Sequence, residues 1–271
     1  MMGSRRPLHR ALARRRLASA AARRDLVVAN RILAAEGVVD AFGHVSIRTA
    51  DGYLLSRARA PALIEEADLV EFYGDGRVKD PERLAKAGWR PYAERAIHGA
   101  VYEARPDVGA VVHNHAYDVI PFAVTTGTPL RPMTHTCAPI GSRIPVWDIR
   151  EKWGKATNHL VVDADVGRDL AKALGGESVV LMKRHGAVVA QASLKAAVMT
   201  AVYLQNAALM QKEAVALGGA IDFLTDAEVA ACAELQLSPI ALDRAWEMWA
   251  AKVEGGLPPP HAGRMPSRAP T

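Results

Sequence analysis

The chain has 271 residues, half of them apolar, and a formal net charge of +5; that length suits one large domain or two small ones with a sizeable core. No apolar run approaches the roughly 20 residues that a membrane-spanning helix needs. Two cysteines far apart in sequence, Cys137 and Cys232, give neither a disulfide framework nor a thiolate metal site and suit a reducing cytoplasm.

The basic excess is local. Arg5, Arg6, Arg10, Arg14, Arg15, Arg16, Arg23 and Arg24 all precede the first acid, Asp25. The remainder is near neutral, so overall basicity does not point to nucleic acid. Residues 1–16 carry Ser and Arg without acids, as transit peptides do. The preferred reading is a flexible, solvated basic arm leading into a helix. There is no apolar signal core, which argues against secretion and for a cytoplasmic protein.

Leu17 to Glu36 has helical composition and stops at Gly37. His44–Thr49 and Tyr53–Ser56 read as strands joined by the hairpin signal Asp51-Gly52. Ala67 to Val78 reads as a further pair turned at Gly74-Asp75-Gly76, and Asp80 to Arg90 as a charged loop. Pro91 suits a first helical turn, with Tyr92 to Arg105 helical and Ala93, Ile97 and Val101 forming an apolar stripe. Pro106-Asp107 breaks it. Val108 to Val112 is a buried strand that ends in His113-Asn114-His115. Asp118 to Thr126 reads as a short helix, Thr128 to Ser142 as loop and Trp147 to Ala156 as poorly defined. Asp165 to Leu174 is a helix; Ser178–Met182 and Ala187–Ala190 are strands joined through Lys183-Arg184-His185-Gly186. Leu194 to Leu217 is a long helix capped by Ser193. Two more helices span Asp226–Leu235 and Ile240–Val253. The segment 17–254 reads as one catalytic domain and 255–271 as a proline-rich tail. Interleaved strands, helices and hairpins predict an α/β fold with a mixed sheet.

Side chains two apart in a strand share a face, so His113 and His115 can present two imidazoles to one ion. A catalytic metal site needs a third ligand, and the best placed is His185, in a strand-to-strand turn beside Gly186. Glu94 begins the helix that feeds the histidine strand. It is the acid/base candidate, although a first-turn Glu also answers the helix dipole. His98 reads equally as a packing or a site residue, His135 and His159 stay undecided, and His9 and His261 fall in the tails.

Taken together, Glu94-x-x-x-His98, Arg105-Pro-Asp-Val-Gly-Ala-Val-Val-His-Asn-His-Ala116, Arg184-His-Gly186 before a strand and long helix, and Gly43-x-x-Ser46-x-Arg48 resemble the class II aldolase/adducin family over residues 18 to 220. The resemblance implies a three-layer α/β/α domain around a mixed, largely antiparallel sheet. It implies a homotetramer with active sites at subunit interfaces. It makes His113, His115 and His185 ligands of a divalent ion, Mn²⁺ favoured and Zn²⁺ the alternative, and Glu94 the acid/base or a metal neighbour. The family also has non-catalytic, adducin-like members that lack the metal histidines; all three are present here.

Departures from the family's sugar-phosphate aldolases point to the substrate. Gly43-His44 stands where those carry Gly-Asn, Arg57-Ala58-Arg59 where they carry a Pro-Ser-Gly turn, and Arg90-Pro-Tyr-Ala93 where they carry Ser before the Glu. The small groups that cradle a phosphate are replaced by His44, Arg57, Arg59 and Arg90, and a guanidinium fork suits a carboxylate. The chain thus resembles the 3-hydroxy-2-methylpyridine-4,5-dicarboxylate 4-decarboxylase and 3,4-dihydroxyphthalate decarboxylase group. The implied reaction is loss of CO₂ from an ortho-hydroxy aromatic dicarboxylate, the pyridine of vitamin B6 breakdown foremost. Arg57, Arg59 and Arg90 are then substrate-binding candidates, with His44 and Glu94 catalytic. The rival expectations are an aldolase or epimerase of a sugar phosphate and an adducin-like interaction protein.

Overall fold

The computed structural model describes residues 6–255, with side chains from residue 20 onward. The first residues of the expected basic arm, 1–5, and the tail from 256 lie outside the described residues. Seven strands, β1 (His44–Thr49), β2 (Gly52–Ser56), β3 (Leu69–Tyr73), β4 (Ala110–Asn114), β5 (Val146–Trp147), β6 (Val179–Met182) and β7 (Gly186–Gln191), form one sheet in the order β3-β2-β1-β4-β7-β6-β5. Every pairing is antiparallel except β5 with β6. The expected mixed, largely antiparallel α/β fold is therefore present.

The helices are α1 (Arg6–Ala35), α2 (Pro81–Lys86), α3 (Arg95–Ala104), α4 (Ile120–Val124), α5 (Arg150–Trp153), α6 (Ala164–Leu174), α7 (Leu194–Leu217), α8 (Asp226–Gln236) and α9 (Pro239–Val253). Strand alternation divides the core into two layers. Val45, Leu54, Val112 and Val189 point to the layer built with α1, α7 and α9. Tyr53, Leu55, Val111 and Val188 point to the layer built with α3 and α6. All of these are buried, so the central strands are fixed in register by apolar burial on both faces. Ser193 and Ser238 cap α7 and α9 by accepting from the amides of Ala196 and Ala241.

Four local expectations change. Helix α1 begins at Arg6, well before Leu17. The Asp80–Arg90 loop contains α2, because the Asp80 carboxylate accepts from the Arg83 amide at 3.0 Å and Pro81 pre-sets the first turn. Helix α3 starts only at Arg95. Pro91 bridges Arg57 and the Ala58 amide donates to the Arg90 carbonyl at 2.9 Å, so Pro91 is held in a β-bridge and the chain enters the helix only through a turn at Ala93 and Glu94. The strand expected before Val78 is reduced to a single bridge between Phe72 and Val78.

Candidate metal centre

The site forms where β4 ends. Strand pairing sets His113 beside His44 of β1 on one side and Val188 of β7 on the other. His185 lies in the tight β6–β7 turn, its amide donating to the Met182 carbonyl at 3.0 Å. Gly186 lets that turn press against β4: a Cβ there would sit 2.0 Å from the Asn114 carbonyl oxygen and 3.1 Å from His115 Cδ2. Only glycine permits so close an approach.

Three imidazoles and one carboxylate converge. His113 Nε2 and His185 Nε2 each lie 3.1 Å from His115 Nε2. Glu94 Oε2 lies 3.6 Å from the Nε2 atoms of His113 and His185. The four donor atoms fall within 4.8 Å of one another. Glu94 is positioned by its other oxygen, Oε1, which accepts from the Val161 amide at 3.0 Å. The remaining nitrogens of two rings face backbone carbonyls: His113 Nδ1 that of Ala187 at 3.1 Å and His185 Nδ1 that of His159 at 2.9 Å. A carbonyl can only accept, so both Nδ1 atoms carry the proton and both Nε2 atoms present lone pairs to the centre.

Burial together with the nearby His113 and His185 lowers His115 to about 4, so it is neutral at physiological pH. Burial opposes charge on Glu94, and contact with His113 and His185 lowers its carboxyl only where positive charge or a proton faces it; with both ring protons on Nδ1, a cation among the four donors takes that place. Lone pairs crowded to 3.1 Å around an ionised carboxylate repel unless a cation sits among them. The donor set therefore fits a divalent metal ion, with His–carbonyl contacts orienting the ligands.

Beside this centre opens a cavity of about 460 Å³, lined by Phe42, His44, Arg59, Tyr92, Glu94 and His115 among others. Among the predicted substrate residues, His44 and Arg59 line the cavity, while Arg57 and Arg90 are not brought to it. Arg57 donates from Nε to Asp68 at 2.6 Å and stacks 4.6 Å from the Trp89 ring centre. Arg90 is exposed. Asp68 is the organiser that sequence reading missed: buried, it also accepts from Arg59 Nη1 at 2.6 Å and from the Glu65 amide at 2.9 Å. A cleft of similar size, about 470 Å³, opens against α3 and α6, but its Arg48 is committed to the carbonyls of Val108, Tyr102 and Arg105.

Behind His44 lies a second missed feature. His44 Nδ1 is 2.6 Å from His98 Nε2, His98 Nδ1 is 2.6 Å from Ser46 Oγ, and Ser46 Oγ is 2.8 Å from the Tyr102 hydroxyl. All four residues are buried. Burial, reinforced by His98 and then His113, holds His44 well below its ordinary pKa; burial and then His113 lower His98 to about 3. The signal was present in the spacing: His44 and Ser46 share a strand face, and His98 and Tyr102 a helix face.

Residues 24–212 match the Class II Aldolase and Adducin N-terminal domain. The chain belongs to that family. It is 32% identical to the decarboxylase tropJ of Talaromyces stipitatus over 86% of this chain and 95% of that protein. It is 29% identical to the 3,4-dihydroxyphthalate decarboxylase of Arthrobacter keyseri over 81% of this chain and 89% of that one. Its fold resembles that of an aldolase II superfamily protein from Pseudomonas syringae, with a TM-score of 0.69 at 24% identity, over 86% and 92% of the two chains. A lyase family whose members use a divalent metal accords with the Glu94, His113, His115 and His185 cluster. Among the described residues no helix is long and apolar enough to cross a membrane.

Proposed function

We propose that the protein is a metal-dependent decarboxylase of an ortho-hydroxy aromatic dicarboxylate, with 3-hydroxy-2-methylpyridine-4,5-dicarboxylate and 3,4-dihydroxyphthalate the substrates to test first. The observation that supports this reading is the cavity beside the four-donor cluster, lined by Arg59 and His44 as well as by Glu94 and His115. The named decarboxylases among its relatives support the same reaction class.

His113, His115 and His185 would hold the ion, with Glu94 beside it. A bound divalent ion supplies positive charge next to the substrate oxygens, lowering the energy of electron density left on the ring when the carboxylate departs. Three imidazoles and a carboxylate suit Zn²⁺, Mn²⁺ and other divalent ions, and a substrate that chelates through oxygens favours Mn²⁺. Glu94 is ionised, so it acts as a base toward the ring hydroxyl or as a ligand, and does not bring the proton. Arg59, with Nη1 anchored on Asp68 and Nη2 4.0 Å from the exposed Glu65, is the cavity cation assigned to the retained carboxylate. Arg57 and Arg90 support this subsite from behind: Arg57 through Asp68, Arg90 through the backbone bond that fixes Ala58.

Phe42, 65% exposed, and the exposed Leu160 flank the cavity mouth. Apolar side chains in that position support a neighbouring subunit closing it, as in a homotetramer with interfacial sites. The two free cysteines, Cys137 and Cys232, support a cytoplasmic setting.

The test is CO₂ release by protein reconstituted with Mn²⁺ or Zn²⁺, using each dicarboxylate in parallel with a sugar phosphate. CO₂ from a dicarboxylate, abolished by chelation and restored best by Mn²⁺, is the expected result. Cleavage of the sugar phosphate without any CO₂ would refute the decarboxylase reading. Protein with no affinity for either ion would favour an adducin-like role.

A further inference from the structure

The chain Tyr102–Ser46–His98–His44 has one physically consistent direction. Tyr102 is buried, and its hydroxyl proton needs an acceptor. The acceptor within reach is Ser46 Oγ, at 2.8 Å. If Tyr102 donates to Ser46, the single Ser46 proton is free to go to His98 Nδ1, at 2.6 Å. His98 Nδ1 is then an acceptor, so the proton of this neutral ring sits on Nε2 and is donated to His44 Nδ1 at 2.6 Å. His44 Nδ1 is thereby also an acceptor, and its own proton is forced onto Nε2. The reverse direction would end on a buried tyrosine hydroxyl with no acceptor other than Ser46 Oγ within reach among the described residues, an arrangement proteins avoid.

With Nδ1 engaged, Nε2 is the free polar atom of a ring that lines the cavity beside Glu94 and His115. The His44 ring is wedged between Tyr92, 4.5 Å away, and His113, 5.0 Å away, which leaves it little freedom to flip.

We infer that Tyr102, Ser46 and His98 are positioning residues that lock His44 as an Nε2–H donor into the substrate cavity, so that the site selects ligands presenting an anionic oxygen, carboxylate or phenolate, at that point. The inference deepens the decarboxylase reading and rests on it for the identity of the ligand, while the tautomer itself stands on the geometry alone. A lone pair at the same place would repel the same oxygen. The lock therefore separates an accepted from a rejected substrate without any change in shape.

The experiment uses the full-length, Zn²⁺-loaded protein, a diamagnetic form suited to NMR. Long-range ¹⁵N–¹H spectra of the imidazoles report which nitrogen of His44 is protonated, with His44→Gln for assignment. Calorimetric titration with phthalate reports binding. Wild type is expected to show the Nε2–H form of His44. Ser46→Ala removes the proton donated to His98 Nδ1 and frees both rings to invert. It should give a mixed or Nδ1–H spectrum and weaken phthalate binding tenfold or more at unchanged metal content. Ser46→Thr, which keeps the hydroxyl, should restore both, and Tyr102→Phe should fall between. An Nδ1–H signal from wild-type His44, or a Ser46→Ala protein that keeps wild-type spectrum and affinity, overturns the inference. Absence of CO₂ release with an intact Nε2–H signal would count against the decarboxylase reading alone.

Discussion

Replacing Gly186 with Ala should dismantle the metal centre from outside it. The added Cβ would lie 2.0 Å from the Asn114 carbonyl oxygen, whereas carbon and oxygen settle no closer than about 3.3 Å. Strands β4 and β7 must therefore part by about 1 Å or more at the pair Asn114–Ala187. Overpacking of this kind and a weakened ladder bond together should cost about 2–4 kcal/mol, lowering Tm by roughly 5–10 °C. The effect on the metal should be larger in proportion. His113 and His115 travel with β4 and His185 with the β6–β7 turn, and metal–ligand distances tolerate only ~0.2 Å. Differential scanning calorimetry and metal stoichiometry by mass spectrometry, on G186A and wild type, measure both. Gly74→Ala is the control, because a Cβ there meets nothing within 4 Å. A G186A protein that melts with wild type and binds a full equivalent of metal would refute the argument that this close approach builds the site.

Glu94→Gln keeps an oxygen for the Val161 amide and should fold normally. It removes the negative charge that sits 3.6 Å from His113 and His185, so kcat should fall by about 10²–10⁴ while Tm of the metal-free protein changes little. Asp68→Asn breaks a buried carboxylate shared by Arg57 and Arg59, and denaturant titration should show a loss of about 1–3 kcal/mol at pH 7, with a raised KM as Arg59 loses its anchor. Burial alone would raise the Asp68 pKa, but the Glu65 amide and the two arginines outweigh it and depress it from 3.8. A depressed pKa contributes stability above the unfolded value that is lost as pH falls through the folded one. The gap between wild type and Asp68→Asn should therefore be full at neutral pH and shrink below about pH 4.

The parts of the structure that sequence reading reached are those governed by local rules. Asp51-Gly52 announces a hairpin, Ser193 a helix start, and His113-x-His115 a shared face, and each is found in place. The parts it missed depend on partners distant in sequence. Helix α3 was expected to start at Tyr92 because Pro91 is at home in a first turn. The bridge from Pro91 to Arg57 keeps Pro91 out of the helix, and no local signal reports it. Arg57, Arg59 and Arg90 look equivalent in the sequence, as cations that replace the family's phosphate cradle and suit a carboxylate. Asp68, set by the 3₁₀ turn at Glu66–Asp68 and the Glu65 amide, anchors both Arg57 and Arg59, and it is Arg57 that stacks on Trp89 while Arg59 lines the cavity. His98 was ambiguous for the same reason: its role is decided by Ser46 and His44, 52 and 54 residues away.

Charge within the centre constrains how an aldolase scaffold can run a decarboxylation. Loss of CO₂ leaves an electron pair on a ring carbon, and that carbon must gain a proton. With a cation among the donors Glu94 stays ionised and does not bring it, and His113 and His185 have their protons tied to backbone carbonyls. His115 is neutral and turns its Nε2 toward the Nε2 atoms of its two neighbours. The cluster is thus a set of electron-pair donors, suited to holding a cation and accepting a proton. The donors that reach the cavity, the His44 imidazole and the Arg59 guanidinium, stand at positions where the sugar-phosphate aldolases of the family carry other residues. On the proposed reading, the metal-binding cluster is the part shared with the family, and specificity is assigned to His44 and Arg59 in the adjoining cavity. Exchanging His44 and Arg59 should change which substrate is accepted without changing metal content, whereas no exchange at His113, His115 or His185 should do so.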